Sequence, residues 1–337
     1  MAEEFPTGAS ALHPGWPDAK FNVSGLYTHD AVVAAYLRFV EVAFGVRGPV
    51  DAMHGAPDVR WNGGRMARPV TDRARLQQSV ISLGQKNIGC FPTFSNHALE
   101  AADLADPVCN AMLDGVAARP DINGVIVSSE LLSRYIAERY PKLPQVASAV
   151  KVTVEKGRGR ADYYRAAGER FHRYVVHPDD GRDLRLLEQL DRDKAEILVN
   201  EPCLRDCPTR ERHYELIARA TRECAQLAGG AANLPKGAPL PPATQALQDF
   251  GEVCQSTPIT KQLKAHRANC NFTADHFKKV YDLGFRRFKL QGRSEQIFVY
   301  IYDLIRYTLE PDYAAPLMFK IMCVGMQVEG SGAGTAA

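Results

Sequence analysis

The chain has 337 residues, 41 Lys and Arg against 39 Asp and Glu, and a formal net charge of +2. With 45% hydrophobic and 24% charged residues it has a globular composition, enough for a sizeable core in one large or two ordinary domains. The near balance of charge excludes the strong basic footprint of a nucleic-acid or acidic-membrane binder, and no run approaches the roughly 18 apolar residues of a spanning helix. The acidic start carries no apolar leader, so the chain reads as soluble and cytoplasmic.

In chain order, short β-rich runs alternate with amphipathic helical stretches, the pattern of parallel-sheet α/β proteins. A first strand is expected over Phe21–Gly25, then a helix from Asp30 to Phe44 with Val33, Leu37, Val40 and Phe44 on one face. The second strand is Val50–Gly55, followed by a loop holding Trp61, Gly63 and Gly64 and a helix from Thr71 to Lys86. Further strands are expected at Ile88–Ser95, Ile122–Ser129, Gln145–Val154, Arg173–Pro178, Ala195–Glu201 and Phe285–Gly292. Eight strands alternating with helices predict an α/β fold of the (β/α)8 TIM-like barrel type. No G-x-G-x-x-G turn follows the first strand to support an open dinucleotide-binding sheet. Residues 228–271 break the alternation, beginning with a Gly-, Ala- and Pro-rich loop, and read as an insertion between the seventh helix and the eighth strand. The expected organisation is an N-terminal extension over 1–19, a single barrel domain over 20–325 and a disordered tail over 326–337.

Barrels of this kind carry their chemistry where the strands end. Those ends offer His54, Glu130, His177 and Glu201 as acid–base candidates, and Asn96, Lys151 (placed in the fifth strand), Asn200, Lys289 and Arg293 as substrate-binding candidates. N-capping is the rival explanation for Ser95–Asn96, Ser129–Glu130 and Asp179, each of which precedes a helix.

Eight cysteines in a cytoplasmic chain do not suggest a disulfide framework. Cys90, Cys109, Cys224 and Cys323 sit in apolar or helical surroundings, whereas Cys203, Cys207, Cys254 and Cys270 lie in or beside loops. The strongest local signal is the Cys203-Leu204-Arg205-Asp206-Cys207-Pro208 segment. Pro208 suits a first helical turn and so places Cys207 near a helix N-terminus, which favours thiolate, the species that ligates iron or zinc. Cys254 and Cys270 are placed to fold back from the insertion over the mouth. His213 is either a packed helix-face residue or a further ligand. In the second signal, Tyr281–Arg293, strand alternation puts Lys289 and Arg293 on one face, and such inward cations need Glu201 or an acidic substrate as partner.

The Phe288-Lys289-Leu290-Gln291-Gly292-Arg293 strand resembles the Lys-(Ile/Leu)-x-Gly-Arg signature of the collagenase-like peptidase family of unassigned catalytic type, family thirty-two of the U class. The cysteine-bearing loop after Asn200 fits the same family, and the resemblance runs from the first strand to about residue 320. It implies a barrel-like core. Several members bind a 4Fe–4S cluster through four cysteines and take part in oxygen-independent hydroxylation of RNA bases or of the ubiquinone ring, and others are regarded as peptidases. Carried over by position, the resemblance makes Cys203 and Cys207 cluster ligands, with Cys270 third and Cys254 fourth. The cysteine spacing departs from the commonest family pattern and Gln291 stands where an acidic residue is frequent, which keeps a single zinc or iron ion, or unligated thiols, open.

The expected function is iron–sulfur-dependent modification, such as hydroxylation, of a small acidic or aromatic metabolite, a small molecule being favoured over RNA by the balanced charge. One alternative is a peptidase or other hydrolase of that family, although the chain has neither G-x-S-x-G nor H-E-x-x-H. The other is a non-catalytic cluster-binding subunit of a hetero-complex, or a homo-oligomer. Phe298, Tyr300, Tyr302 and Tyr307 of the last helix offer a partner surface, with Phe298, Tyr302 and Ile305 expected to pack on the barrel.

Overall fold

The computed structural model describes residues 12–64, 73–226, 239–253, 270–292 and 297–318. Eight strands, β1 (Lys20–Val23), β2 (Val50–Gly55), β3 (Gly89–Phe94), β4 (Val125–Val127), β5 (Gln145–Ala147), β6 (Arg173–Val176), β7 (Ala195–Leu198) and β8 (Arg287–Leu290), run parallel and close into a barrel in chain order. β8 pairs back on β1, with Asn22 opposite Lys289.

Alternation along each strand decides what faces where. Phe21, Val23, Ala195 and Ile197 face outward into the large core between strands and helices. Ala52, Phe91, Ile126, Val146, Val175 and Leu198 face inward and form a small apolar plug. Further inward positions, on β1, β2, β6, β7 and β8, carry buried polar side chains: Asn22, His54, Arg173, Glu196 and Lys289.

The helical layer comprises α1 (Asp30–Phe44), α2 (Arg73–Gly84), α3 (Pro107–Ala117), α4 (Glu130–Arg139), α5 (Ala149–Val154), α6 (Ala161–Arg170), α7 (Leu184–Leu187), α8 (Arg210–Gln226), α9 (Pro242–Val253), α10 (Ala274–Asp282) and α11 (Ile297–Thr308). α1 buries Val33, Tyr36, Val40 and Phe44 and stops at Gly45, whose φ of 67° suits glycine. Ser129, Ser148 and Thr273 each cap the helix that follows, accepting a backbone N–H.

The fifth strand is shorter than its apolar run suggests. It ends at Ala147, and the Ser148 hydroxyl accepts the Val150 N–H at 3.1 Å to start α5. A segment buried on all sides has no periodicity to separate strand from helix. The insertion contributes α9, which packs on α8 through the rings of Phe250 and His213, 4.9 Å apart. The described part of the N-terminal extension belongs to the barrel's outer layer, where the Trp16 ring lies tilted against Phe277, centroids 4.2 Å apart, and its Nε1–H donates to the Tyr307 carbonyl at 2.7 Å. The tail over 326–337 lies outside the described residues. On α11 the orientation is the reverse of the expectation for Phe298 and Tyr302, which face solvent with Val299 while Tyr300, Leu304, Ile305 and Tyr307 are buried. Among the described residues no helix is long and apolar enough to cross a membrane.

Candidate functional site

The loops beyond the strand ends enclose a cavity of about 140 Å³ whose polar lining includes Ser24, His54, Ser95, Glu201, Tyr214, Lys289 and Gln291. Its floor is a hydrogen-bonded chain across the barrel interior. His54 Nδ1 lies 3.0 Å from Asn22 Oδ1, the Asn22 amide donates to the Glu196 carboxylate at 3.3 Å, and Lys289 Nζ donates to Glu196 Oε1 at 3.1 Å. Since the Asn22 amide nitrogen is spent on Glu196, its oxygen accepts, which assigns the proton to Nδ1 of His54 and leaves a lone pair on Nε2.

The charges here are unequal. Burial works against ionisation of Glu196, but Lys289 and Arg173 together hold its carboxyl below the usual range. Burial draws Lys289 and Arg173 below theirs, with Glu196 opposing in both cases. Arg173 faces Asp51 as well, which pairs with Arg287 at 3.0 Å, so three cations face two carboxylates. Arg173 also lies over the Phe91 ring at 5.5 Å, and its Nε has no partner among the described residues.

One wall is built by Asn200. Its amide donates to the Gln291 carbonyl at 2.7 Å and to Asp303 at 2.9 Å, while its oxygen accepts the Gln291 N–H at 2.7 Å. So clasped, Gln291 donates from Nε2 to Glu201 Oε2 at 2.6 Å, and the Cys203 N–H donates to Oε1 at 3.1 Å. On the opposite side Gly63 packs so closely that a Cβ there would stand 2.2 Å from the Ser95 carbonyl oxygen. That close approach fixes the loop bearing Ser95 at the mouth. Ser24 and Ser95 line the cavity, and the buried hydroxyl of each has no hydrogen-bond partner among the described residues.

The structure therefore brings His54, Glu201 and Lys289 together at one cavity, with Asn200 behind Gln291. It places other candidates elsewhere. Lys151 stands on α5, not on a strand, and pairs with Glu155 and Glu130. Glu130 belongs to that partly exposed ion network, which also includes Arg134 and Arg170, and does not line the cavity. Lys289 is neutralised by Glu196 rather than by Glu201. Arg293 and Cys254 lie outside the described residues. The Asn96 amide donates to the Arg60 and Ala218 carbonyls, both at 3.0 Å, and its oxygen accepts the Ala98 N–H at 3.0 Å. Asn96 thus ties the β3 loop to α8 with nothing left for a ligand. Asn96→Ala is expected to cost about 2–4 kcal/mol by leaving buried backbone groups unpaired. Urea denaturation checks this, and an unchanged midpoint would return Asn96 to the binding candidates.

The cysteines meet at the β6–β7 edge of the mouth. The Cys270 N–H donates to the Cys203 carbonyl at 3.1 Å, joining two residues far apart in sequence. Both side chains are buried. The Cys270 thiol lies 3.1 Å from Asp179 Oδ1, and burial, helped by Asp179, raises its pKa and keeps it protonated. Arg210, itself buried, donates to the Leu204 carbonyl at 2.6 Å and stands 3.4 Å from Asp179 and 3.9 Å from the Cys270 sulfur. Cys207 is partly exposed beside Thr209, and α8 begins at Arg210, so Pro208 precedes the helix instead of opening it. His213 packs on Phe250. His177 is fully buried, its Nδ1 accepting the Asp179 N–H at 3.3 Å.

Of the four expected cluster ligands the structure describes Cys203, Cys207 and Cys270, while Cys254 is outside the described residues. Among the described residues no three His, Cys, Asp or Glu side chains are grouped to hold a metal ion.

Reading by residue type missed Asn22, Glu196, Tyr214 and Arg210. For the first two a signal existed. Asn22 and Glu196 interrupt apolar strands, and alternation gives them the parity opposite to the outward Phe21, Val23 and Ile197.

No protein-family model and no curated protein matches the chain. Among solved structures it is similar to the U32 peptidase Mk0906, with 13% identity, a TM-score of 0.50, and coverage of 82% of this chain and 94% of that one. The likeness is one of fold, and it agrees with the eight-stranded parallel barrel that closes here around a polar cavity.

Proposed function

We propose that the chain is an enzyme whose active site is the mouth cavity and whose substrate is a small acidic metabolite. The observation that carries this reading is the buried Lys289–Glu196–Asn22–His54 chain on the floor of a cavity whose Ser24 and Ser95 hydroxyls are unpartnered. Buried charges and orphaned hydroxyls are costly to a fold that does not use them. A cavity of about 140 Å³ compares with the ~150 Å³ void that accepts benzene, so it encloses a ligand of roughly that bulk. The substrate's carboxylate or carbonyl oxygen would sit at Lys289 and the two hydroxyls. His54, oriented through Nδ1, presents Nε2 as a proton acceptor, and Glu201 on the wall provides a second, carboxylate base. The chemistry is proton transfer beside, or addition to, a polarised carbonyl.

Hydrolysis is a variant of this reading, suggested by the name of the structural neighbour. One carbonyl of a peptide would occupy the same oxygen position, and His54 or Glu201 would take the proton of an attacking water. Isothermal titration against malonate, pyruvate, benzoate and a set of short peptides tests both. Because its hydroxyl is unpartnered, Ser95→Ala is expected to leave the apo protein within about 0.5 kcal/mol of wild type or slightly more stable, while weakening carboxylate binding about tenfold. Equal affinity in wild type and Ser95→Ala, or no binding across the set, would sink the reading.

A second reading rests on the Cys270–Cys203 backbone bond, which gathers two of the expected ligands beside Cys207. In it these thiols, with Cys254, hold an iron–sulfur cluster or a zinc ion, which would supply redox or Lewis-acid chemistry when bound. Iron, sulfide and zinc analysis of anaerobically purified wild type and Cys203→Ala decides it, since a genuine centre disappears in the variant.

A further inference from the structure

We propose that Lys289 is a nucleophile that forms an imine with the carbonyl group of a small aldehyde or 2-oxo acid bound in the mouth cavity. This rests on the mouth being the active site and names the substrate class.

Lys289 lines the cavity while buried almost completely, and Glu196 holds its amine from below at 3.1 Å. Three cations, Arg173, Arg287 and Lys289, face two carboxylates, Glu196 and Asp51. One of them is in electrostatic excess. A guanidinium does not give up its proton in proteins, whereas a buried ammonium does. With Lys289 neutral, Glu196 keeps Arg173 as counter-charge and the Asn22 amide as donor, so the interior balances without the ammonium. Burial acts in the same direction, drawing Lys289 below the usual lysine range.

The neutral Nζ attacks the carbonyl carbon, forming the N–C bond while the carbonyl oxygen takes a proton, and gives a carbinolamine. The nitrogen loses a proton, and the hydroxyl leaves as water after receiving one, so amine and carbonyl become imine and one water with no change of oxidation state. His54 and Glu201 stand on the same cavity and pass these protons, while the unpartnered Ser24 and Ser95 hydroxyls are donors for the carboxylate of a 2-oxo acid.

The test uses the full chain incubated with pyruvate and sodium borohydride, whose hydride reduces an imine to a stable secondary amine, followed by peptide mapping. Each unit by which an amine pKa is lowered raises its neutral fraction about tenfold at neutral pH. A reduced pyruvate adduct on Lys289 exceeding that on any other lysine is therefore expected. Lys289→Arg, which keeps the cation and its partner, is expected to abolish it. The adduct is mapped in wild type, so a variant that fails to fold does not block the result. Unmodified Lys289 in a protein that binds pyruvate by titration would overturn the imine and leave the mouth site standing. Unmodified Lys289 together with no binding across the carboxylate and peptide set would overturn both.

Discussion

Glu196→Gln is expected to destabilise the protein by about 3–5 kcal/mol, the cost of breaking a buried ion pair from one side. Glu196 is 1% exposed and is the carboxylate that Lys289 and Arg173 share. An amide of the same shape keeps one oxygen for Asn22 or Lys289 but neutralises neither cation. Arg173 is then left with Asp51 alone as counter-charge, and Lys289 loses its carboxylate acceptor. Lys289→Met is expected to cost less, because Arg173 and the Asn22 amide still serve Glu196. The double variant Glu196→Gln/Lys289→Met should recover part of the single-variant loss, giving a coupling of about 1–3 kcal/mol by double-mutant cycle. Urea denaturation of the four proteins reads these values. A loss below about 1 kcal/mol for Glu196→Gln would mean that water reaches the barrel floor and screens the charges.

The barrel was legible because its signal is repeated. Eight apolar runs separated by amphipathic stretches admit few topologies, and every strand falls on its expected run, β1 starting one residue earlier at Lys20. That His54, Glu201 and Lys289 line one cavity was legible for a related reason: residues at strand ends share one mouth whatever their distance in sequence. The errors come from residues whose fate is decided by a partner rather than by position. Asn96 sits at a strand end like His54, yet the Arg60 and Ala218 carbonyls reach it first. Lys151 was placed on a strand because the buried run around it shows no period, and the decisive residue is the small cap Ser148. Arg210 is one charge among several in Arg205–Arg212, but it is 3% exposed and sits against Asp179 and the Cys270 sulfur. No spacing rule selects one arginine from such a run. Glu196 differs, since strand parity alone turns it inward, and a charged residue at an inward position of a closed barrel implies a counter-charge across the interior.

His177 should make the fold acid-sensitive well above the carboxylate range. It is fully buried, and its Nδ1 accepts the Asp179 N–H, so the neutral ring carries its proton on Nε2, which has no partner among the described residues. The Asp179 carboxylate lies 3.5 Å from Nδ1, but Arg210 and Arg158 already stand against that carboxylate. Burial first, then repulsion from those two arginines, pushes the His177 pKa down to about 2. The folded value is thus below the ordinary one of 6.5, and the fold favours the neutral ring. The stability this represents is complete above pH ~6.5 and is lost as pH falls toward the folded value, because only the unfolded chain takes up the proton. The loss is about 1.4 kcal/mol per pH unit below the ordinary value, or roughly 3 kcal/mol by pH ~4.5. Burial lowers His97, His172 and His276 as well, so wild type alone does not isolate the effect. His177→Gln does, because it removes this titration and leaves theirs. Its denaturation midpoint should fall less steeply than that of wild type between pH ~7 and ~4.5, the two curves converging on the acid side. Parallel curves across that window would mean that His177 takes up its proton inside the fold, with the Asp179 carboxylate as the partner that receives it.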